Sequence, residues 1–258
     1  MPIKQKLVEE LRMLLTSQLR RKLAEYNPEP HSMPFHTRLL GADRMALFSF
    51  IHSLSTNFGA AIFEPVAVAV AKTRFRHAVS QAAAGDCISK RAHEVIQEIM
   101  DGLATAVTEP DLDAEVRRLR AVCQLGTMSP VKLTRVDLML ESQDGVFYLF
   151  DLKTAKPNAG NFREFKRTLL EWTAAFLARN PKVDVRAAIA IPYNPYEPKP
   201  YNRWTMRGMI DLRKQLYVGK EFWDFLGGDG AYEQLLGVFE AVGVELKPEI
   251  DARFAQFK

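Results

Sequence analysis

Cysteine is scarce: the 258 residues contain two, Cys87 and Cys123. Two thiols cannot staple a chain of this length, and neither stands in the Cys-x-x-Cys or Cys/His pattern that zinc requires. Long hydrophobic runs are missing as well. The longest, from Ala60 to Ala71, is interrupted by Glu64 and Pro65, so no segment reads as a membrane span. The opening residues lack an apolar stretch before a small-residue cleavage site, so a secretory signal is not expected. A strong excess of either charge is lacking too, with 35 Lys and Arg against 31 Asp and Glu, a formal net charge of +4. That excess permits a polyanionic partner without demanding one. Internal repeats and low-complexity linkers are absent. The hydrophobic content of 47% and charged content of 26% then exclude a disordered or fibrous chain. These absences together lead us to expect a cytoplasmic protein with free thiols and no membrane partner.

Periodicity divides the chain into three textures. Residues 1–125 read as mainly helical. Leucines at 7, 11, 14, 15, 19 and 23 give an amphipathic helix over 3–26, and Pro28 ends it. Residues 28–38 read as loop, with His31 and His36 on the surface. Helices are expected over 42–56, 60–81 (with Pro65 in its first turn), 90–106 and 111–121. Residues 126–195 carry the strand formers. Stretches 131–141 and 146–153 are rich in β-branched and aromatic residues, and Asp144-Gly145 between them signals a tight hairpin. A helix over 161–179 follows, then a strand over 183–191 whose apolar end, Ala187 to Ile191, predicts burial on both faces. Residues 196–258 return to helices, expected over 206–217, 220–226, 230–243 and 247–257. Trp172 and Trp223 lie in apolar patterns and read as core. The expected fold class is therefore α/β, a small mixed central sheet flanked by many helices in a single domain spanning 1–258.

The chemistry sits on the hairpin. Asp137 lies inside the first strand, and Asp151 and Lys153 end the second. Residues two apart on a strand share a face, so Asp151 and Lys153 project together while Leu152 points the other way. Pairing the strands across the turn brings Asp137 toward Asp151 at the open end. Neighbouring carboxylates repel, and a divalent, oxygen-seeking cation such as Mg²⁺ relieves that repulsion. The backbone carbonyl of Leu152 is a further candidate ligand. Lys153 can orient or deprotonate a water and neutralise developing charge. Such a set suits phosphodiester hydrolysis, although Asp…Asp-x-Lys spacing also arises by chance. Two observations favour chemistry: both acids sit inside apolar runs, and cations follow them at Lys156, Arg163, Lys166 and Arg167. Those four read either as phosphate contacts or as a solvated helix face. Asn158 and Asn161 read as phosphate contacts or as turn and cap residues. Asn194, Asn202 and Arg203, in the proline- and aromatic-rich loop 192–204, are candidate base-edge readers. A rigid loop packed on the core is the competing reading there. Glu64 is either a helix-start carboxylate facing solvent or a third acid of the site.

The Asp137 … Asp151-Leu152-Lys153 hairpin resembles the PD-(D/E)xK nuclease core, with Val136 where that core often has proline. The stretch from Val136 to Trp172, together with Tyr193-Asn-Pro-Tyr196 and Val218 to Gly228, is similar to the TdeIII-type family of type II restriction endonucleases. The resemblance covers about Phe58 to Gly228. It implies Mg²⁺-dependent, sequence-specific cleavage of double-stranded DNA by in-line attack of a metal-activated water, a homodimer, and a cognate DNA methyltransferase in the host. It also implies metal binding by Asp137 and Asp151, action of Lys153 on the water, and an auxiliary acid at Glu64. Two other functions remain open: a repair or recombination nuclease of the same fold, and a catalytically silent DNA-binding module.

Overall fold

Leu7, Leu11, Leu15 and Leu23 recur on one face of the first helix, α1 (Gln5–Glu25), and all four are buried. They lie against α9 (Ala231–Ala255), the last helix of the chain. Ion pairs Arg12–Glu245 (2.9 Å) and Arg20–Glu249 (2.7 Å) flank the seam. Exposed pairs contribute about 0–1 kcal/mol each, so leucine burial dominates this contact. The computed structural model describes residues 4–26, 33–153, 162–201, 206 and 208–255.

The remaining elements, in order, are α2 (Pro34–Leu40), α3 (Ala42–Phe58), one π-helical turn (Gly59–Phe63) and α4 (Glu64–Ala71). Then come β1 (His77–Ala82), β2 (Cys87–Ser89), α5 (Lys90–Ala104), α6 (Leu112–Val122), β3 (Met128–Pro130), β4 (Val136–Glu141) and β5 (Val146–Leu152). The chain continues through α7 (Phe162–Arg179), β6 (Asp184–Ile191), β7 (Leu216–Val218) and α8 (Lys220–Gly227) before reaching α9. The central sheet has the order β1-β4-β5-β6-β7. β1, β4 and β5 pair antiparallel, whereas β6 and β7 add in parallel. A separate two-stranded ribbon joins β2 to β3. The expected mixed α/β architecture is what forms.

Alternation along the strands splits the core in two. Leu149, Val185, Ala187 and Ile189 face a layer built from α5, α6 and α7. Leu138, Leu140, Phe150, Ala188 and Ala190 face α1, α4, α8 and α9. Ala187 through Ile191 are all buried, as expected of a strand covered on both sides. Trp172 and Trp223 are core residues, and His36 is exposed; His31 lies outside the described residues. Cys87 and Cys123 are free thiols. Among the described residues, no helix is long and apolar enough to cross a membrane.

Several boundaries differ from expectation. The helix expected over 60–81 stops at Ala71, and His77–Ala82 forms β1 instead. Its Ala, Ser and Gln carry weak strand propensity, and pairing with β4 decides the outcome. A π turn precedes Pro65, which cannot donate to the helical ladder. The loop expected over 28–38 contains the start of α2, with Pro34 in its first turn. The helix expected over 206–217 is replaced by turns and β7, because Leu216–Val218 completes the sheet beside β6. The helices expected over 230–243 and 247–257 are one element, α9. Pro248 forfeits a bond to the carbonyl of Val244, a residue 70% exposed, where water can replace the lost donor. The sheet thus draws β1 and β7 from outside the strand-rich 126–195 stretch.

Candidate active site

The turn of the β4–β5 hairpin forms as its residues dictate. The Gly145 amide donates to the Ser142 carbonyl (3.1 Å), and Gly145 takes a φ of +83°, which suits glycine. The register then follows: Glu141 faces Phe147, Leu140 faces Tyr148 and Leu138 faces Phe150. The next residues toward the open end are Asp137 and Asp151. The ladder breaks there, and the Leu152 amide donates instead to Asp137 Oδ2 (2.8 Å). The Asp137 carboxylate is therefore anchored to the neighbouring strand beside Asp151.

Asp151 is buried. Lys153 Nζ lies 2.6 Å from Asp151 Oδ1 and 4.5 Å from the centre of the Phe165 ring. The aromatic face holds the ammonium against the carboxylate. Burial pushes the Asp151 pKa up to about 6, opposed by Lys153 and reinforced by the nearby charge of Asp137.

Glu64 begins α4 and is buried, so the solvent-facing alternative does not hold. It is tied to the hairpin by Gln81, a residue that sequence reasoning missed. Gln81 Nε2 donates to Glu64 Oε2 (2.8 Å) and to Asp137 Oδ1 (3.3 Å). Gln81 falls between the paired residues Ser80 and Ala82, whose partners Leu138 and Val136 flank Asp137. Gln81 lies on β1, within the stretch whose pattern predicts a longer helix, so no strand register points to it. Burial raises the Glu64 pKa; the Gln81 amide pulls it down and Asp137 adds a smaller upward push.

Glu64, Asp137 and Asp151 thus form a line of acids that ends at Lys153. Among the described residues, no three His, Cys, Asp or Glu side chains already converge as a metal cage. Oxygen-only donors, two of them buried with their pKa values raised, nevertheless suit a hard divalent cation.

The candidate DNA contacts divide. Lys166 does not face solvent. It is fully buried, with Nζ 2.5 Å from Glu115 Oε2 and 2.8 Å from Gln215 Oε1, and so cannot reach a phosphate. Its position among Phe162, Leu169 and Leu170 puts it on the inner face of α7. Arg163 is exposed, and Arg167 bonds Gln97 Oε1 (2.7 Å) at the surface. Asn194 is spent on its own loop: Nδ2 donates to the Lys199 carbonyl (2.7 Å), and Oδ1 accepts from the Tyr196 amide (3.0 Å). That use favours the rigid-loop reading. Lys156, Asn158, Asn161, Asn202 and Arg203 lie outside the described residues.

A mixed sheet with two strand-borne acids and a lysine at its open edge defines a nuclease-like α/β core. The profile of the HinfI type II restriction endonucleases matches residues 2–243. The chain belongs to that family of site-specific deoxyribonucleases. It is 28% identical to the type II restriction enzyme HgiEI of Herpetosiphon aurantiacus over 231 residues, which is 86% of this chain and 81% of the relative. Identity is 26% to HgiCII of the same organism (88% and 84% covered) and 24% to MjaII of Methanocaldococcus jannaschii (98% and 74% covered). Type II restriction endonucleases generally require a divalent metal.

Proposed function

We propose that this chain hydrolyses phosphodiester bonds of double-stranded DNA at a specific sequence, using Mg²⁺ held by Asp137, Asp151 and the backbone carbonyl of Leu152, with Glu64 as the auxiliary acid. The observation that carries this reading is the alignment of Asp137 and Asp151 on neighbouring strands with Lys153 Nζ against Asp151. When bound, Mg²⁺ would activate a water for in-line attack and polarise a phosphoryl oxygen. Asp137 would be positioned for its part by the Leu152 amide. Lys153, steadied over Phe165, would orient the water and stabilise charge that builds on the scissile phosphate. Arg163 and Arg167, at the start of α7, would neutralise flanking phosphates; Lys156, Asn158, Asn161, Asn202 and Arg203 join them as contacts by position in the chain. We assign the hairpin to the PD-(D/E)xK core. The TdeIII-type likeness then reflects a core shared between families of type II enzymes. A homodimer acting on a short palindrome, and a host methyltransferase protecting that sequence, complete the proposal.

Digestion of a circular duplex of known sequence tests it. Discrete fragments with Mg²⁺ and none in EDTA are expected. A smear or end-dependent loss would favour a repair nuclease, and salt-sensitive binding without scission would favour a silent binding module.

A further inference from the structure

Gln81 has an unusual backbone for its residue type. Its φ is +53°, a left-handed conformation that side-chain-bearing residues rarely adopt. It sits in an exposed stretch of β1 where a solvated glutamine could relax. Three contacts hold it instead. Arg135 donates to its carbonyl (3.1 Å), and its amide nitrogen donates to both Glu64 and Asp137.

An amide nitrogen is suited to this place. It offers two protons, one for each carboxylate, and carries no net charge. A lysine there would cancel the field of the acids permanently; an amide quiets their repulsion while leaving their full charge available to an arriving cation. Yet amide protons and a divalent ion seek the same carboxylate oxygens and repel each other.

We propose that Gln81 is a positioning residue that bridges Glu64 and Asp137 while the site is without metal and yields those oxygens when Mg²⁺ binds. This rests on the metal-site reading above. Gln81→Ala and the length-matched Gln81→Met, which lacks donors, test it by two readouts that do not involve cleavage. The first is the thermal midpoint in EDTA, which should fall. The second is the Mg²⁺ dissociation constant measured by calorimetry without DNA. It should tighten about tenfold or more, the worth of two ordinary hydrogen bonds no longer broken on binding. A purely structural role would lower the midpoint and leave Mg²⁺ affinity unchanged or weaker, and either result overturns the proposal. Failure of both variants to fold would also overturn it. If the parent binds no divalent ion, the metal assignment itself fails, and the exchange falls with it.

Discussion

Burial penalises the charge of Glu64 and of Asp151, and the site has measurable consequences for single residues. Asp137→Ala or Asp151→Ala should abolish cleavage while circular dichroism stays that of the parent; full cutting by either variant with Mg²⁺ present would refute the assignment. Lys153→Ala should lose most turnover with little loss of folding. Asp151 also sets a pH dependence. Its folded pKa, about 6, lies above the ordinary aspartate value of 3.8. The folded chain therefore binds more protons than the unfolded chain between these values, and the group's contribution to stability falls as pH rises through that window. Asp151→Asn should accordingly raise the thermal midpoint in EDTA at pH 7, and the gain should vanish below about pH 4. A gain of equal size at both pH values would show that burial of charge is not the cause. Much of this residue-level picture is legible in the sequence. Two acids inside apolar runs, a lysine two residues on, and an Asp-Gly turn fix which side chains meet. Gln81 was not legible: glutamine has no distinctive spacing here, and its meaning depends on a strand that looked like helix.

At the scale of elements, strong local patterns survived and short ones did not. The hairpin, α1, α5 and β6 carry clear periodicity, and their boundaries follow from it. β1, β2, β3 and β7 are short and pair with partners distant in the chain, so long-range pairing rather than propensity makes them strands. Helix α7 shows how an element constrains the site. Its Phe165 supports Lys153, while its inner face holds Lys166 against Glu115 of α6. Burial lowers the Lys166 pKa and raises that of Glu115, so desolvation opposes charge on both partners. Breaking such a pair leaves one charge stranded. Lys166→Ala should cost about 3–5 kcal/mol in denaturant unfolding, whereas Lys166→Met with Glu115→Leu should recover most of that loss. Equal losses for the single and double variants would contradict it. Lys166 also shows why a basic helix start misleads: one turn of α7 carries cations on both its outer and inner faces, and only packing sorts them. Gly85 makes the same point for backbone. A Cβ there would lie 2.7 Å from the Ala175 Cβ and 2.9 Å from its carbonyl oxygen. Gly85→Ala should push α7 away from the β1–β2 connection and lower the thermal midpoint by several degrees, about 1–3 kcal/mol of overpacking.

For the whole molecule, the two apolar layers enclose a sheet whose reactive edge lies at one end of β4 and β5. The surface is not uniformly polar. Phe35, Leu39, Leu47, Phe48 and Ile51 of α2 and α3 are exposed large hydrophobics. Class and overall architecture were readable from composition and pattern, because alternation between helical and strand periods is a property of long stretches. Neither this exposed face nor the recognised bases were readable, since both depend on which side chains the finished fold leaves outward.

The Ser142–Gly145 turn closes the hairpin at the end opposite Asp137 and Asp151, and Gln143 and Asp144 at its tip are exposed. Six residue steps along the strand separate Gly145 from Asp151, a span of about 20 Å. A fluorophore or short epitope grafted at that corner would report on the enzyme from a vantage remote from the cutting end.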